Sequence, residues 1–138
     1  MIRNIVATIA GLIAGSILNM VIVQLNMHVL FPMPAGMDIN NPEQLTTFMA
    51  TLPASAFLVV MVAHLGQSFV GGWLAARLGA SRPMLLAMIV GALSLVGGIM
   101  AMMMIKGPDW MMIELPLYLV VAWAAGRIEE GRRARLAG

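Results

Sequence analysis

The polar side chains with the most regular spacing lie between residues 64 and 68. His64, Gln67 and Ser68 follow the i, i+3, i+4 spacing that places side chains on one face of an α-helix. An imidazole on such a face can bind and release a proton near neutral pH, or it can stay neutral and hydrogen-bond to a neighbouring helix. The face therefore predicts either a proton-binding site or a polar contact between helices.

Other apolar segments carry side chains that could act with this face. Asn19 can donate and accept hydrogen bonds, Tyr118 carries a hydroxyl, and Glu114 can bind a proton. His64 and Ser68 lie one helical turn apart, but no motif supplies the third group or the oxyanion hole that a hydroxyl nucleophile needs. We therefore predict that the chain is not an enzyme and has no catalytic residue and no cofactor.

The segments that must position these residues are long and apolar. Hydrophobic residues make up 61% of the 138-residue chain and charged residues only 10%, which excludes a soluble globular domain. Lipid permits only helices or closed barrels, and the period-2 alternation of a barrel is absent, so the predicted fold class is all-α. A helix needs about 20 apolar residues to cross the lipid core. We predict four transmembrane helices, over residues 5–30, 54–76, 84–105 and 110–126.

The basic residues predict the orientation of these helices. Of the eight Lys and Arg residues, all but Lys106 flank the span ends on one side of the membrane, and such residues are retained in the cytoplasm. We predict an up-down-up-down bundle in the cell membrane, formed by residues 1–138 as a single domain, with both termini cytoplasmic. Membrane lipid is the expected partner. The basic residues are split among three segments, so they do not indicate nucleic-acid binding.

The longest polar interval, residues 31–52, predicts a short helix of its own. Asn41 is a favoured N-cap residue, and Pro42 suits the first helical position. Glu43 falls in the first turn, where the helix dipole favours a negative charge. We expect this helix to lie at the outer membrane interface.

On the four predicted helices, the polar side chains can be ordered by depth. Counted inward at about 1.5 Å per residue, Asn19, His64 and Tyr118 lie near the bilayer centre, and Glu114 lies about 6 Å deep. Glu114 is therefore expected near the interface, where it can reach water or pair with Lys106. Burying an ionisable group costs several kcal/mol unless it has a partner or water, so His64 is the first candidate. The candidate transport or ligand residues are Asn19, His64, Gln67, Tyr118 and Glu114.

Methionine is frequent, which raises the alternative of copper binding. The chain has 15 Met and no Cys, and soft thioether ligands select Cu(I). Residues 102–104 are three consecutive Met, however, so they point in three directions, and Met is also a flexible apolar filler. We predict no metal site, and keep His28, Met27 and Met33 as its weak candidates.

Small residues recur at four-residue spacing on all four predicted helices. Such residues let helix backbones approach closely in lipid, within one chain or between copies. Four short helices offer more of these stripes than one bundle needs, so we expect the protein to self-associate or to join a larger membrane complex. The stripes are Gly11 and Gly15; Gly71, Ala75 and Gly79; Ala87 and Gly91; and Ala122 and Gly126.

The layout as a whole resembles a known group of proteins. The outer loop is Pro-rich, and the chain ends in a short Arg-rich tail. The second span carries the stretch His64-Leu-Gly-Gln-Ser-Phe-Val-Gly-Gly-Trp-Leu-Ala-Ala-Arg77. In these features the chain resembles small, uncharacterised four-helix integral membrane proteins of bacteria. The resemblance implies the same architecture and a cell-membrane location, and it assigns no role to any residue.

Two functional hypotheses follow from these patterns. The first is a non-enzymatic membrane protein whose polar faces organise packing and association with itself or a larger complex. The alternative is a small transporter or channel with a polar mid-membrane site around His64. A transport site needs a hydrated, concave space beside His64, whereas packing contacts need side chains that satisfy one another in a dry interior.

Overall fold

The computed structural model describes residues 1–105 and 107–138, and within them it contains helices and no strand. Four helical segments are long and apolar enough to cross a membrane, which confirms the predicted all-α, multi-pass architecture. Lys106, and with it the predicted pairing of Lys106 with Glu114, lies outside the described residues. The first membrane helix is α1 (Ile2–Leu25), and a π-helical turn (Asn26–Leu30) continues it. The other membrane helices are α3 (Ala54–Leu78), α4 (Pro83–Met104) and α5 (Glu114–Ala137). A 3-10 helix (Asp109–Ile113) precedes α5.

The short helix predicted in the long loop is also present, as α2 (Pro42–Thr51). The Asn41 side chain accepts hydrogen bonds from the backbone N–H groups of Glu43, at 3.0 Å, and Gln44, at 3.2 Å. These bonds satisfy two of the N–H groups that have no partner within the helix, and Pro42 has none to satisfy. None of the residues of α2 is buried, so this helix is not part of the packed bundle.

Consecutive membrane helices run antiparallel, in the predicted up-down-up-down order. Asn26 at the end of the first span lies beside Ala56 at the start of α3, and Gly98 late in α4 lies beside Tyr118 early in α5. α3 is the central helix, because it packs against α1, α4 and α5, whereas α1 packs mainly against α3. The side chains of α3 therefore meet all three other membrane helices.

The small-residue stripes lie between helices of this one chain. A Cβ on Gly15 of α1 would come within 2.5 Å of the Gln67 carbonyl oxygen of α3, so the two backbones are in contact there. Gly72 of α3 packs against α4 in a similar way, and Gly91 of α4 packs against Ala122 of α5. Packing within the chain therefore occupies the small residues at these positions, and association between copies stays a prediction.

Both chain termini and the α3–α4 link meet at one end of the bundle, here called the basic end. Arg3 Nε donates to the Leu78 carbonyl oxygen at 2.9 Å, and Asn4 Oδ1 accepts from the Ala80 N–H at 2.8 Å. From the other terminus, Arg133 donates to the Gly79 carbonyl oxygen at 2.8 Å. The opposite end, called the loop end, carries α2. Which end faces the cytoplasm stays a prediction from the distribution of Arg.

The fourth span continues well beyond the position at which its apolar run ends. We predicted a span over 110–126 followed by an Arg-rich tail, but α5 stays helical to Ala137. Glu129 lies three and four residues before Arg132 and Arg133, and both side chains bond to it. Ion pairs at this spacing stabilise a helix, which explains why the polar tail continues α5.

Candidate functional site

The site is built around one contact between α3 and the first turn of α5. The Nδ1 atom of His64 lies 3.0 Å from Oε1 of Glu114, within hydrogen-bond distance. The Glu114 side chain is 1% exposed and the His64 side chain 19% exposed, so the imidazole edge is the accessible part of the pair. Glu114 also occupies the N-terminal turn of α5, where the helix dipole favours a negative charge.

Glu114 lies deeper than its sequence position indicated. We expected it near the interface, about 6 Å in, on the assumption of α-helical rise from residue 110. Residues Asp109–Ile113 instead form a 3-10 helix, which rises about 2.0 Å per residue and carries the chain further inward. Packing of α5 against α3 buries Glu114 beside His64, so its expected access to water is wrong, whereas its expected pairing with Lys106 is not described by the structure.

One oxygen of the Glu114 carboxyl has no hydrogen-bond partner in the described part of the chain. Oε1 faces His64, but Oε2 is buried and unpaired. An ionised carboxyl can accept about four hydrogen bonds, and a buried acceptor left unsatisfied costs on the order of 1–3 kcal/mol or more. Binding of a proton to Oε2, or a hydrogen bond to Oε2 from a donor outside the chain, would therefore be favourable.

Tyr118 and Ser68 hold the side of His64 that faces the basic end. The rings of His64 and Tyr118 stack with centroids 6.3 Å apart and planes 24° from parallel. Ser68 Oγ donates to the Tyr118 backbone oxygen at 2.8 Å, one turn further along both helices. Gly98 of α4 lies against the Tyr118 ring, since a Cβ there would be 2.7 Å from the hydroxyl oxygen. Three helices thus fix the orientation of the imidazole.

A cavity of about 900 Å³ occupies the loop end of the bundle, and His64 and Glu114 lie at its deep end. Asn26, the first residue of the π-helical turn, forms part of its wall and donates from Nδ2 to the Ala56 carbonyl oxygen at 3.2 Å. Asn26 Oδ1 is buried without a partner in the described residues. Asn26 was not among the candidates predicted from the sequence, because the neighbouring residues do not indicate a π-helical turn. Such turns are frequent at functional sites.

Three of the five predicted candidates do not line this cavity, although one of them, Tyr118, stacks on His64. Gln67 packs against Gly15 at the α1–α3 contact, and neither it nor Asn19 lines the cavity. The Asn19 amide oxygen is buried and has no partner within the described chain. The structure therefore brings His64, Glu114 and Tyr118 together and leaves Asn19 and Gln67 outside the group.

The weak metal candidates are not gathered at one point. Met27 lines the cavity, whereas His28 is exposed and Met33 lies outside the lining. Among the residues that the structure describes, no group of three or more His, Cys, Asp or Glu side chains is placed to hold a metal ion.

A second buried carboxyl, Glu129, lies at the basic end and was not selected from the sequence. Its oxygens accept from Arg132 Nε at 2.8 Å and Arg133 Nε at 2.9 Å, and Arg77 lies 3.7 Å away. These residues follow the apolar part of α5, outside the membrane-spanning segment. The hydrogen bond from Arg132 lowers the pKa of Glu129 to about 2, although burial opposes this shift. The i, i+3, i+4 spacing of Glu129, Arg132 and Arg133 was the available signal.

Comparisons of this chain with protein-family models, with curated proteins and with solved structures find no match. The resemblance to small bacterial four-helix membrane proteins therefore stays a prediction. What the chain can do chemically has to be argued from its own geometry: a titratable pair, inside a four-helix membrane bundle, at the deep end of a cavity.

Proposed function

We propose that this protein is a small membrane transporter in which the His64–Glu114 pair binds and releases a proton. The observation that carries the proposal is the pairing of a fully buried carboxyl, with one oxygen unpaired, to an imidazole that lines a large cavity. Ionisable groups are rare within membrane helices, and they mark ion pathways and proton relays.

The chemistry of the pair suits this role. His64 Nδ1 and Glu114 Oε1 are 3.0 Å apart, close enough for one proton to be shared between them. The exposed edge of His64 gives protons a route to the pair from the cavity. A contact that served packing alone would leave both carboxyl oxygens satisfied and no cavity beside them.

The arrangement favours a transporter over an open channel. The cavity extends from the loop end to His64, and beyond it Tyr118 stacks on the imidazole. Still nearer the basic end, Gly91 of α4 packs against Ala122 of α5. Passage across the bundle would require these contacts to rearrange, as in alternating access.

The cellular setting belongs to the same proposal. We place the protein in the cell membrane with the basic end in the cytoplasm, supported by the Arg residues that gather with both termini. The rival hypothesis, a non-enzymatic subunit that self-associates, has less support because its small-residue stripes pack within the chain. The apolar outer face of α1, with Ile9, Ile13 and Ile17 exposed, suits lipid as well as a second copy.

A pH jump tests the proposal without a known substrate. Purified protein is reconstituted into vesicles adsorbed on a solid-supported membrane, and the buffer pH is changed rapidly. Proton binding at a site inside the membrane moves charge and gives a transient current. We expect this current in the native protein and its loss in Glu114→Gln and His64→Ala.

Matched variants exclude general effects of substitution. His28→Ala and Glu43→Gln remove the same side-chain types at exposed positions of the loop end, so they should keep the current. Circular dichroism and a single elution peak establish that each variant is folded. The proposal is wrong if the native protein gives no current, or if folded His64→Ala and Glu114→Gln give the native current.

A further inference from the structure

We infer that the cavity binds lipophilic cations, and that the bound cation takes the place of the proton on Glu114. This inference rests on the proposed function, since it assigns a class of ligand to the same pair. Its argument comes from the charge, the lining chemistry and the size of the cavity, taken in turn.

The charge of the cavity favours a cation. Its described lining includes the carboxyl groups of Glu114 and Asp109 and the imidazole of His64, but no Lys or Arg. The described lining residues from α1, its π turn, α2 and α4 contribute no charged or titratable side chain, and Tyr118 stacks on His64 and lies close enough to Glu114 to interact with its charge. Both carboxylates attract positive charge, and among the described residues no donor competes for Oε2 of Glu114.

The remaining lining is apolar and aromatic, which suits a hydrophobic cation. Aromatic faces attract cations, and Met side chains adapt to ligands of different shape. A small hydrated ion would find few polar groups here, since Asn26 provides the nearest amide among the described lining residues. The aromatic and thioether lining includes Phe31, Phe48, Phe57, Met27, Met49 and Met111.

The size of the cavity exceeds what proton transfer requires. A volume of about 900 Å³ lies within the range of about 300–1,000 Å³ typical of sites for drug-sized ligands. A proton relay alone needs a chain of water molecules, not an apolar space of this volume. The geometry thus fits an organic cation whose charged centre lies at the deep end, beside the His64–Glu114 pair, and whose apolar body fills the space toward the loop end.

Proton and cation compete for the same carboxyl. When the cation binds beside protonated Glu114, the carboxyl releases its proton through the cavity, and the positive charge of the cation replaces that of the proton. Affinity for the cation should therefore rise with pH, and binding should release a proton. A neutral or anionic ligand of the same shape would show neither effect.

Tetraphenylphosphonium and tetraphenylborate provide the test, because they share shape and hydrophobicity and differ in the sign of charge. Isothermal titration calorimetry of the purified full-length protein in mild detergent measures both. We expect tetraphenylphosphonium to bind more tightly than tetraphenylborate. Its heat of binding should differ between buffers of different ionisation enthalpy, as proton release requires.

Variants locate the site. Glu114→Gln should bind tetraphenylphosphonium at least about tenfold more weakly, since a charged partner is lost. Glu114→Asp keeps the charge and should keep the preference for the cation, which provides a test if the Gln variant is unstable. Glu43→Gln, an exposed carboxyl, should bind as the native protein does.

The outcomes separate this inference from the proposed function. Equal affinity for the two tetraphenyl ions, or unchanged binding in folded Glu114→Gln, would show an unselective apolar space and overturn the inference. If the pH jump still gave a current that required Glu114, only the ligand class would be wrong. If that current were also absent, the proposed function would fail with it.

Discussion

Two buried carboxyl groups on α5 differ in how completely they are satisfied. Glu129 at the basic end accepts hydrogen bonds from Arg132 and Arg133, with Arg77 close by. Glu114 at the deep end of the cavity meets His64 through one oxygen, and its other oxygen has no partner in the described chain. Both residues are fully buried, so exposure alone does not distinguish them.

The difference indicates two uses of the same chemical group. A carboxylate surrounded by guanidinium groups holds helices together, because all of its charge is compensated within the fold. Arg133 extends this contact to α3 by donating to the carbonyl oxygens of Ala76, at 2.6 Å, and Gly79. A carboxylate with an empty acceptor position leaves charge to be compensated by a proton or a ligand. We therefore expect Glu129 to matter for stability and Glu114 for activity.

The largest stability effect is expected at the basic end. Glu129→Gln should lower the free energy of unfolding by about 2–3 kcal/mol, because it weakens three charge-assisted hydrogen bonds from Arg132 and Arg133. Titration with sodium dodecyl sulfate in mixed micelles, followed by circular dichroism, measures this change. Glu130→Gln is the control: its oxygen lies 3.9 Å from Arg127 in a partly exposed pair, which should contribute no more than about 0.5 kcal/mol. Equal losses in the two variants would contradict the structural role of Glu129.

A smaller effect is expected for Arg133→Lys, with the same measurement. A single ammonium cannot reproduce the fork that bonds to Glu129 and to the last carbonyl groups of α3, so a loss of about 1–2 kcal/mol follows. Arg135→Lys, at an exposed position, should leave stability unchanged. If Arg133→Lys were as stable as Arg135→Lys, the bonds from α5 to α3 would not contribute to folding.

The smallest stability effect is expected at the candidate site. Glu114→Gln should change the free energy of unfolding by less than about 1 kcal/mol, or raise it, because it removes an incompletely compensated buried charge. The amide that replaces the carboxyl can still hydrogen-bond to His64 Nδ1. The same variant should lose the pH-jump current. A loss of stability as large as that of Glu129→Gln would make the His64–Glu114 contact a structural one.

The parts of the fold that were predicted correctly depend on local chemistry. The long apolar runs predicted four membrane helices, and Asn41 followed by Pro42 and Glu43 predicted the start of α2. The length of α5 was underestimated, because hydropathy falls at Arg127 while ion pairs extend the helix to Ala137. Hydropathy indicates whether a helix is surrounded by lipid or by water. It does not report the side-chain ion pairs that can extend the helix beyond its apolar run.

The candidate site was predicted in part. Helical periodicity placed His64 and Ser68 on one face, and both contact α5. The same face was expected to include Gln67, which instead packs against Gly15 of α1. Side chains at i, i+3 and i+4 cover a wide angle around the axis of α3. Some of them therefore contact α5 and others contact α1. The rotation of each helix about its axis, which decides this division, is set by packing and leaves no periodic signal.

By itself, the sequence determined the medium, the number of helices and their antiparallel order, because apolar length and short links leave few alternatives. The tertiary structure alone decided which polar groups meet. Packing of α5 against α3 placed Glu114 beside His64, and Arg side chains three and four residues away enclosed Glu129. Whether a buried carboxyl is compensated depends on atoms from other turns and helices, which only the folded chain brings within hydrogen-bond distance.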